Sequence, residues 1–488
     1  MRICAIASEV APLAKTGGLA DVTGALTRFL TDAGHDVRMF MPRYASIDPA
    51  RLGCEPLARL EDVPLALGPH RYRFSVLRGR LPGSVASIYL VDCPALYERS
   101  AIYSADPDEH RRFLLLTRAA FEACQRMAFS PQILHCHDWH AAFAPLFKRT
   151  LYGWDRLFAA TRSVLTIHNL GYQGVFGAAD AADLDLGHGS HLLHQDDLRA
   201  GHINSLKHGI LYADRVTTVS PTYAREIRTP ELGMGLDQVL RQRGDAVLGI
   251  LNGVDYQEWD PRRDRHLPLH FDAQRLAPKR ELKARLCRRL GLEAAERTPL
   301  AGVVSRLAQQ KGIDLLLAAL PAQLEAGRLV CAVLGSGDRP YEQALAQLQG
   351  RFPGRFAFHS GYSDELAHWI EAGSDFFLMP SQYEPCGLNQ MYSLRYGTVP
   401  VVRQTGGLAD SVHRYDLASG TGTGVLFREF TPAALERALD QTIDLYAQPA
   451  HWLRLLRNGM SEDFSWEHQG AEYVALYESL AAEAQAGG

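Results

Sequence analysis

Ile3-Cys4-Ala5-Ile6-Ala7, Lys15-Thr16-Gly17-Gly18-Leu19-Ala20-Asp21-Val22 and His35-Asp36-Val37-Arg38-Met39-Phe40-Met41-Pro42 decide the fold. The first is an unbroken apolar run and reads as a strand buried on both faces, as in parallel sheets. The second opens a helix expected over 19–33, which Gly34 ends. The third is another strand. Strand, loop, helix and strand within about forty residues is the opening of a doubly wound α/β fold, in which ligands sit off the carboxyl ends of the strands.

The same grammar continues outward. Ile133-Leu134-His135-Cys136-His137-Asp138 reads as a strand, 139–149 as a helix, and Ser163-Val164-Leu165-Thr166-Ile167-His168 and Arg215-Val216-Thr217-Thr218-Val219-Ser220 as further strands. Residues 170–200 are rich in Gly, Ala, Asp and His with weak periodicity, and are expected to form a long, mobile surface excursion. Near 245–300 the character changes: a Pro-, Arg- and Asp-rich segment spans 259–268, and a charged helix is expected over 278–290. A second doubly wound unit then opens at Leu300-Ala301-Gly302-Val303-Val304. It continues through strands at 329–337, 356–362, 375–380 and 399–402, with final helices at 433–447 and 467–483. The expectation is two Rossmann-like domains, each on a parallel sheet, facing a central cleft. The first covers 1–245 and the second 246–465; a helix in 466–488 crosses back to the first. A hinge is expected near 245–260. Thr16-Gly17-Gly18-Leu19-Ala20-Asp21 recurs as Thr405-Gly406-Gly407-Leu408-Ala409-Asp410, one local solution used twice and not a repeat architecture.

Bulk properties exclude several classes. A chain of 488 residues is too long for one ordinary core. A net charge of −4 argues against a general electrostatic grip on nucleic acid, and no apolar run approaches the length of a membrane span. Eight cysteines lie scattered with no C-x-x-C spacing, as suits buried thiols in a reducing compartment; with an N-terminal apolar run too short for a signal sequence, a cytoplasmic protein is expected.

The chemistry concentrates where strands end. Tyr383-Glu384-Pro385-Cys386-Gly387-Leu388-Asn389-Gln390 lies between the strand at 375–380 and a helix expected over 390–396. Free backbone N–H groups at such a junction suit a phosphate. Glu384 just ahead of it either caps the helix or holds sugar hydroxyls and faces positive charge at an anomeric carbon. Lys15-Thr16-Gly17-Gly18 reads as an anion cradle of a different order from a Walker loop, with a plain surface loop as the alternative. Arg306 and Lys311, five apart in Ser305-Arg306-Leu307-Ala308-Gln309-Gln310-Lys311-Gly312, can both address one diphosphate and do a metal's work on a nucleotide leaving group. His135-x-His137-Asp138-Trp139-His140 admits two readings, zinc ligands or a sugar-binding rim. His168-Asn169 ends a strand at the same rim, with a buried structural histidine as the alternative. Asp106-x-Asp108 and Asp183-x-Asp185 read as loop carboxylates.

Taken in order over nearly the whole chain, K-T-G-G-L-A-D, H-C-H-D-W-H, T-I-H-N-L, N-G-V-D, S-R-L-A-Q-Q-K-G and Y-E-P-C-G-L closely resemble bacterial glycogen synthases and plant starch synthases. The resemblance implies the GT-B architecture and transfer of glucose from ADP-glucose to the non-reducing end of glycogen or another α-1,4-glucan, with retention. It implies no cofactor and no metal. Lys15 would contact the sugar nucleotide, and Gly17 and Gly18 its phosphates. Asp138, His168 and Asn169 would hold the glucosyl group, with Glu384; Arg306 and Lys311 would neutralise the diphosphate. Tyr362 would stack on adenine, and Cys386, Gly387 and Leu388 would meet the phosphates through their backbone. Asn389 stands where the family usually has Thr, which implies an altered phosphate contact. A UDP-glucose donor, or a nucleotide-sugar epimerase of the same architecture, remains open, as does the choice between double displacement and same-face attack.

Overall fold

The computed structural model describes residues 1–295 and 297–486. It divides into two compact units: Met1–Gly253 together with the segment from Trp466 onward, and Val254–Ser465.

Unit 1 carries β1 (Arg2–Ile6), β2 (Asp36–Pro42), β3 (Glu55–Pro56), β4 (Val63–Leu67), β5 (His70–Arg80), β6 (Ser87–Asp92), β7 (Ile133–His137), β8 (Arg162–Ile167), β9 (Val175–Gly177), β10 (His202–Asn204), β11 (Arg215–Thr218) and β12 (Val247–Gly249). Its main sheet runs β12-β11-β8-β7-β1-β2-β6-β5-β3, with β4 paired to β5. From β12 to β6 every pairing is parallel. Ala5 in β1 faces Met39 on one side and His135 on the other. The winding reverses between β1 and β7, so the loops after these two strands flank the switch point where such sheets bind ligands.

The helix Gly18–Asp32 follows β1 and buries Leu19, Val22, Leu26 and Leu30. The loop before it folds back tightly. Ala11 N–H donates to Ala20 O at 2.9 Å, and Thr23 Oγ1 to Glu9 O at 2.7 Å. An added Cβ at Gly24 would sit 2.6 Å from Ala11 O, so only glycine admits this approach. The helix Trp466–Ala486 packs here too: Trp466, Tyr473, Leu476, Tyr477 and Leu480 share a core with Ile3, Val22, Leu26 and Leu30.

Unit 2 carries β13 (Leu300–Val304), β14 (Val330–Gly335), β15 (Phe356–Ser360), β16 (Phe376–Met379), β17 (Val399–Arg403) and β18 (Val425–Phe427) in the order β15-β14-β13-β16-β17-β18. All pairings are parallel. The reversal falls between β13 and β16. Core clusters cover both faces, one around Leu316, Leu320 and Leu435, the other around Leu286, Ile370 and Leu408. This explains why these strands read as continuous apolar runs.

Four expectations need correction. The sheet of unit 1 is mixed, because β3, β4 and β5 pair antiparallel at its edge. The half-exposed β5 alternates buried and exposed residues, a weaker signal than a buried run. Residues 170–200 are built, not an unstructured excursion: β9 pairs with β10, short 3₁₀ turns span Ala178–Leu184 and Gly187–Leu192, and Leu184 and Leu193 are buried. Asp183 is buried as well, held by Arg111 Nε at 2.6 Å and His110 Nε2 at 2.9 Å, so it is no simple loop carboxylate. A further helix, Pro449–Met460, lies between the two expected at the C-terminal end.

Candidate functional site

In unit 1 the candidates gather after β1, β7 and β8. Asp138 follows β7 directly, at φ 54°, a left-handed conformation that Asp tolerates better than most residues. Such backbone strain persists where the surroundings over-determine it. Here they do: Asp138 Oδ1 accepts from His168 N–H at 2.7 Å and from Asn169 N–H at 3.4 Å, bridging the ends of β7 and β8. Burial pushes the Asp138 carboxyl up to about 7, against the lowering effect of those two amides.

The histidines around it are buried and neutral. Burial holds His168 down to about 3, and pushes His137 and His140 well below the usual imidazole range. His137 Nδ1 lies 2.9 Å from His168 Nε2. His137 Nε2 has no hydrogen-bond partner among the described residues. A buried orphan N–H costs more than an orphan lone pair, so we assign the His137 proton to Nδ1, donating to His168 Nε2. His168 then keeps its own proton on Nδ1, available to a hydroxyl. His135 points the same way as His137, with ring centroids 4.0 Å apart, but is tied to Thr166 Oγ1 at 2.6 Å and to the Tyr477 hydroxyl at 2.7 Å. His140 stacks on Tyr103. His135, with both nitrogens engaged, has none left for a zinc ion, whereas His137 faces His168 through Nδ1 alone.

The loop after β1 contains a residue that sequence reasoning missed. Glu9 is buried and accepts from Thr16 N–H, from Thr16 Oγ1 at 2.8 Å and from the Tyr103 hydroxyl at 2.5 Å. It pins Thr16 just before Gly17 and Gly18. Its only signal was a carboxylate interrupting an apolar run. Lys15 Nζ pairs with Asp21 Oδ1 at 2.8 Å, both partly exposed. Gly17 is extended, and Asn169 Oδ1 accepts from Gly171 N–H at 2.9 Å.

In unit 2 the loops after β13 and β16 meet at the switch point. Lys311 Nζ donates to Glu384 Oε2 at 2.6 Å, and Ser381 Oγ donates to the same oxygen at 3.0 Å. Glu384 is 4% exposed. A carboxylate this buried needs its cation, since truncating one partner of such a pair leaves an uncompensated charge. An ammonium has three N–H groups, and Glu384 takes one, so Lys311 can hold the carboxylate and still address an anion. Arg306 Nη2 reaches Gln310 Oε1 at 3.5 Å, and Gln310 Nε2 donates to Tyr383 O at 3.3 Å, which joins the two loops.

The Glu384–Leu388 turn is buttressed from behind. Gln390 Nε2 donates to the carbonyls of Cys386 and Gly387, each at 2.9 Å. Gly407 N–H donates to Glu384 O at 3.1 Å. An added Cβ at Gly406 or Gly407 would overlap the carbonyl of Glu384 or Cys386. Asn389 starts the short helix Asn389–Arg395, and its Nδ2 donates to Val304 O at 2.7 Å, the end of β13. This amide ties the turn to the neighbouring strand. Tyr362 is 74% exposed just past β15, with its hydroxyl 3.3 Å from Asp364 Oδ1.

Two doubly wound units, each with charged residues at its switch point, are the architecture of a glycosyltransferase of the GT-B class. The family models agree: "Starch synthase catalytic domain" matches residues 2–242 and "Glycosyl transferases group 1" matches 290–454. The chain is 46% identical over 490 residues to a glycogen synthase of Anaeromyxobacter dehalogenans, covering 99% of this chain and 100% of the relative. It is 43% identical to that of Koribacter versatilis, covering 98% of each. The catalytic domain of starch synthase IV from Arabidopsis thaliana, bound to ADP and acarbose, superposes with a TM-score of 0.91 at 34% identity over 99% of both chains. The chain belongs to the glycogen synthase family and is a glucosyltransferase.

Proposed function

We propose that the donor is ADP-glucose, and that glucose passes with retention to the non-reducing end of an α-1,4-glucan such as glycogen. The observation that carries this reading is the Lys311–Glu384 pair at 2.6 Å, with Arg306 on the same loop as Lys311, at the switch point of β13 and β16. A related chain at 34% identity was solved with ADP and with acarbose, a nucleotide and a saccharide.

In this scheme the bond from the anomeric carbon to the phosphate breaks, and negative charge grows on the diphosphate. Arg306 and Lys311 face that charge, and the backbone at Cys386, Gly387 and Leu388 meets the phosphates. Asn389 acts by holding this turn to β13. Preorganised donors aimed at developing charge contribute roughly 3 kcal/mol each. Glu384 holds the sugar and fixes Lys311. Tyr362 offers an exposed ring for the adenine. From unit 1, Lys15, Gly17 and Gly18 contact the sugar nucleotide, and Asp138, His168 and Asn169 hold the glucosyl group. Neutral His168 serves as a hydrogen-bond donor, because burial disfavours its charged form.

The test is ADP release from ADP-glucose with and without glycogen, beside incorporation of labelled glucose into polymer. Glycogen-dependent release matched by incorporation is expected. Release without incorporation would refute the transfer and point to an epimerase or hydrolase. Activity with UDP-glucose alone would refute only the donor.

A further inference from the structure

Unit 2 holds a side-chain cluster that the transfer chemistry does not use. His266, Asp364 and His368 each offer one ligand atom, and the three atoms lie within 4.8 Å of one another. His368 is fully buried. Its Nδ1 is hydrogen-bonded to Asp264 Oδ2 at 2.8 Å, and the Tyr396 hydroxyl donates to the same oxygen at 2.6 Å. Trp259 stacks on the imidazole at 3.7 Å, so the ring is held in one orientation. Its other nitrogen, Nε2, has no hydrogen-bond partner among the described residues. Buried polar nitrogens are rarely left so. The His266 ring lies 4.5 Å from the His368 ring, and His266 Nε2 lies 3.4 Å from Asp364 Oδ2.

An imidazole held at one nitrogen by a carboxylate and unpartnered at the other, with a second histidine and a carboxylate close by, is the donor arrangement of a transition-metal site. We propose that His266, Asp364 and His368 bind a divalent ion of the zinc class, with Asp264 setting the His368 tautomer and a fourth position left for water. Two imidazoles and one carboxylate suit zinc or cobalt better than magnesium or calcium, which prefer oxygen alone. Asp364 and His368 stand one turn apart on the helix Asp364–Gly373, and His266 comes from the Pro-, Arg- and Asp-rich segment. Arg265 Nε, on an exposed side chain, lies 3.3 Å from His266 Nε2 and must swing aside. The other His/Asp cluster, His110 with Asp180 and Asp183, already holds a cation, because Arg111 bonds both carboxylates.

The full chain, stripped with chelator, is titrated with Co²⁺ by visible absorption and with Zn²⁺ by calorimetry. One equivalent is expected, with a tetrahedral Co²⁺ spectrum lacking a thiolate charge-transfer band. His266→Ala and Asp364→Asn, both at partly exposed positions, should each weaken binding by about tenfold or more while the melting temperature of the metal-free chain holds. No saturable binding, a thiolate band, or unchanged affinity in both variants would overturn the proposal.

Discussion

Asp138→Asn isolates the ionisation of one buried carboxyl. Asn keeps an acceptor oxygen for the His168 and Asn169 amides and tolerates the positive φ of 54°. It cannot ionise. The native carboxyl is raised from 3.8 to about 7, with burial the main cause. Between those values the folded state holds a proton that the unfolded chain has released, so stability falls as pH rises through the window. Below it both states are protonated, and above it both are ionised. A gap of roughly three pH units corresponds to ~4 kcal/mol at 1.36 kcal/mol per unit. Relative to the variant, the native protein should therefore lose ~4 kcal/mol of unit 1 stability between pH 4 and pH 8. In a unit of this size that is a melting-temperature change of about 8 °C. Scanning calorimetry of both proteins at several pH values reads the difference directly. A difference that does not vary with pH would refute the argument, and with it the claim that Asp138 is held in a desolvated pocket.

Arg306→Ala or Lys311→Ala should lower turnover by roughly a hundredfold and weaken glucan binding much less, as removal of a transition-state donor does; equal loss in both constants, or none, argues against the role. Gly406→Ala should lower the melting temperature of unit 2, because its Cβ would overlap Glu384 O at a residue with φ +45°, whereas Gly17→Ala should leave stability unchanged and raise the KM for the sugar nucleotide. Ending the chain at Ser465 removes Trp466, Tyr473, Leu476, Tyr477 and Leu480 from the unit 1 core, at about 1.5–3 kcal/mol each, and should leave the chain aggregated or unfolded in solution.

The strands flanking both switch points were legible because residues such as Ile3–Ala7 and Phe376–Met379 are buried on both faces and form uninterrupted apolar runs. The strand β5, near the antiparallel edge, was not, because many of its side chains meet solvent and its pattern is ordinary surface alternation. At the site the charged residues could be picked out by type and by place at strand ends. What sequence could not supply was pairing. Lys311 and Glu384 are 73 residues apart, and only the fold puts them 2.6 Å from each other. Glu9 escaped notice for the same reason: its partner Tyr103 lies on a distant loop.

The two Thr-Gly-Gly segments show how geometry separates a glycine kept for packing from one kept for a ligand. Thr405-Gly406-Gly407 starts the helix Gly406–Ser411 against the backbone of Glu384–Cys386, where added Cβ atoms would overlap carbonyls. Packing alone explains both glycines there. Thr16-Gly17-Gly18 starts the helix Gly18–Asp32 with Thr16 pinned by Glu9. Yet Gly17 has an extended backbone that any residue adopts, and among the described residues a Cβ there would meet nothing within 4 Å. Neither strain nor crowding within the fold asks for glycine at position 17. A bare backbone beside Lys15, off the carboxyl end of β1, is what close approach of a phosphate asks for, and that supports the proposed donor contact.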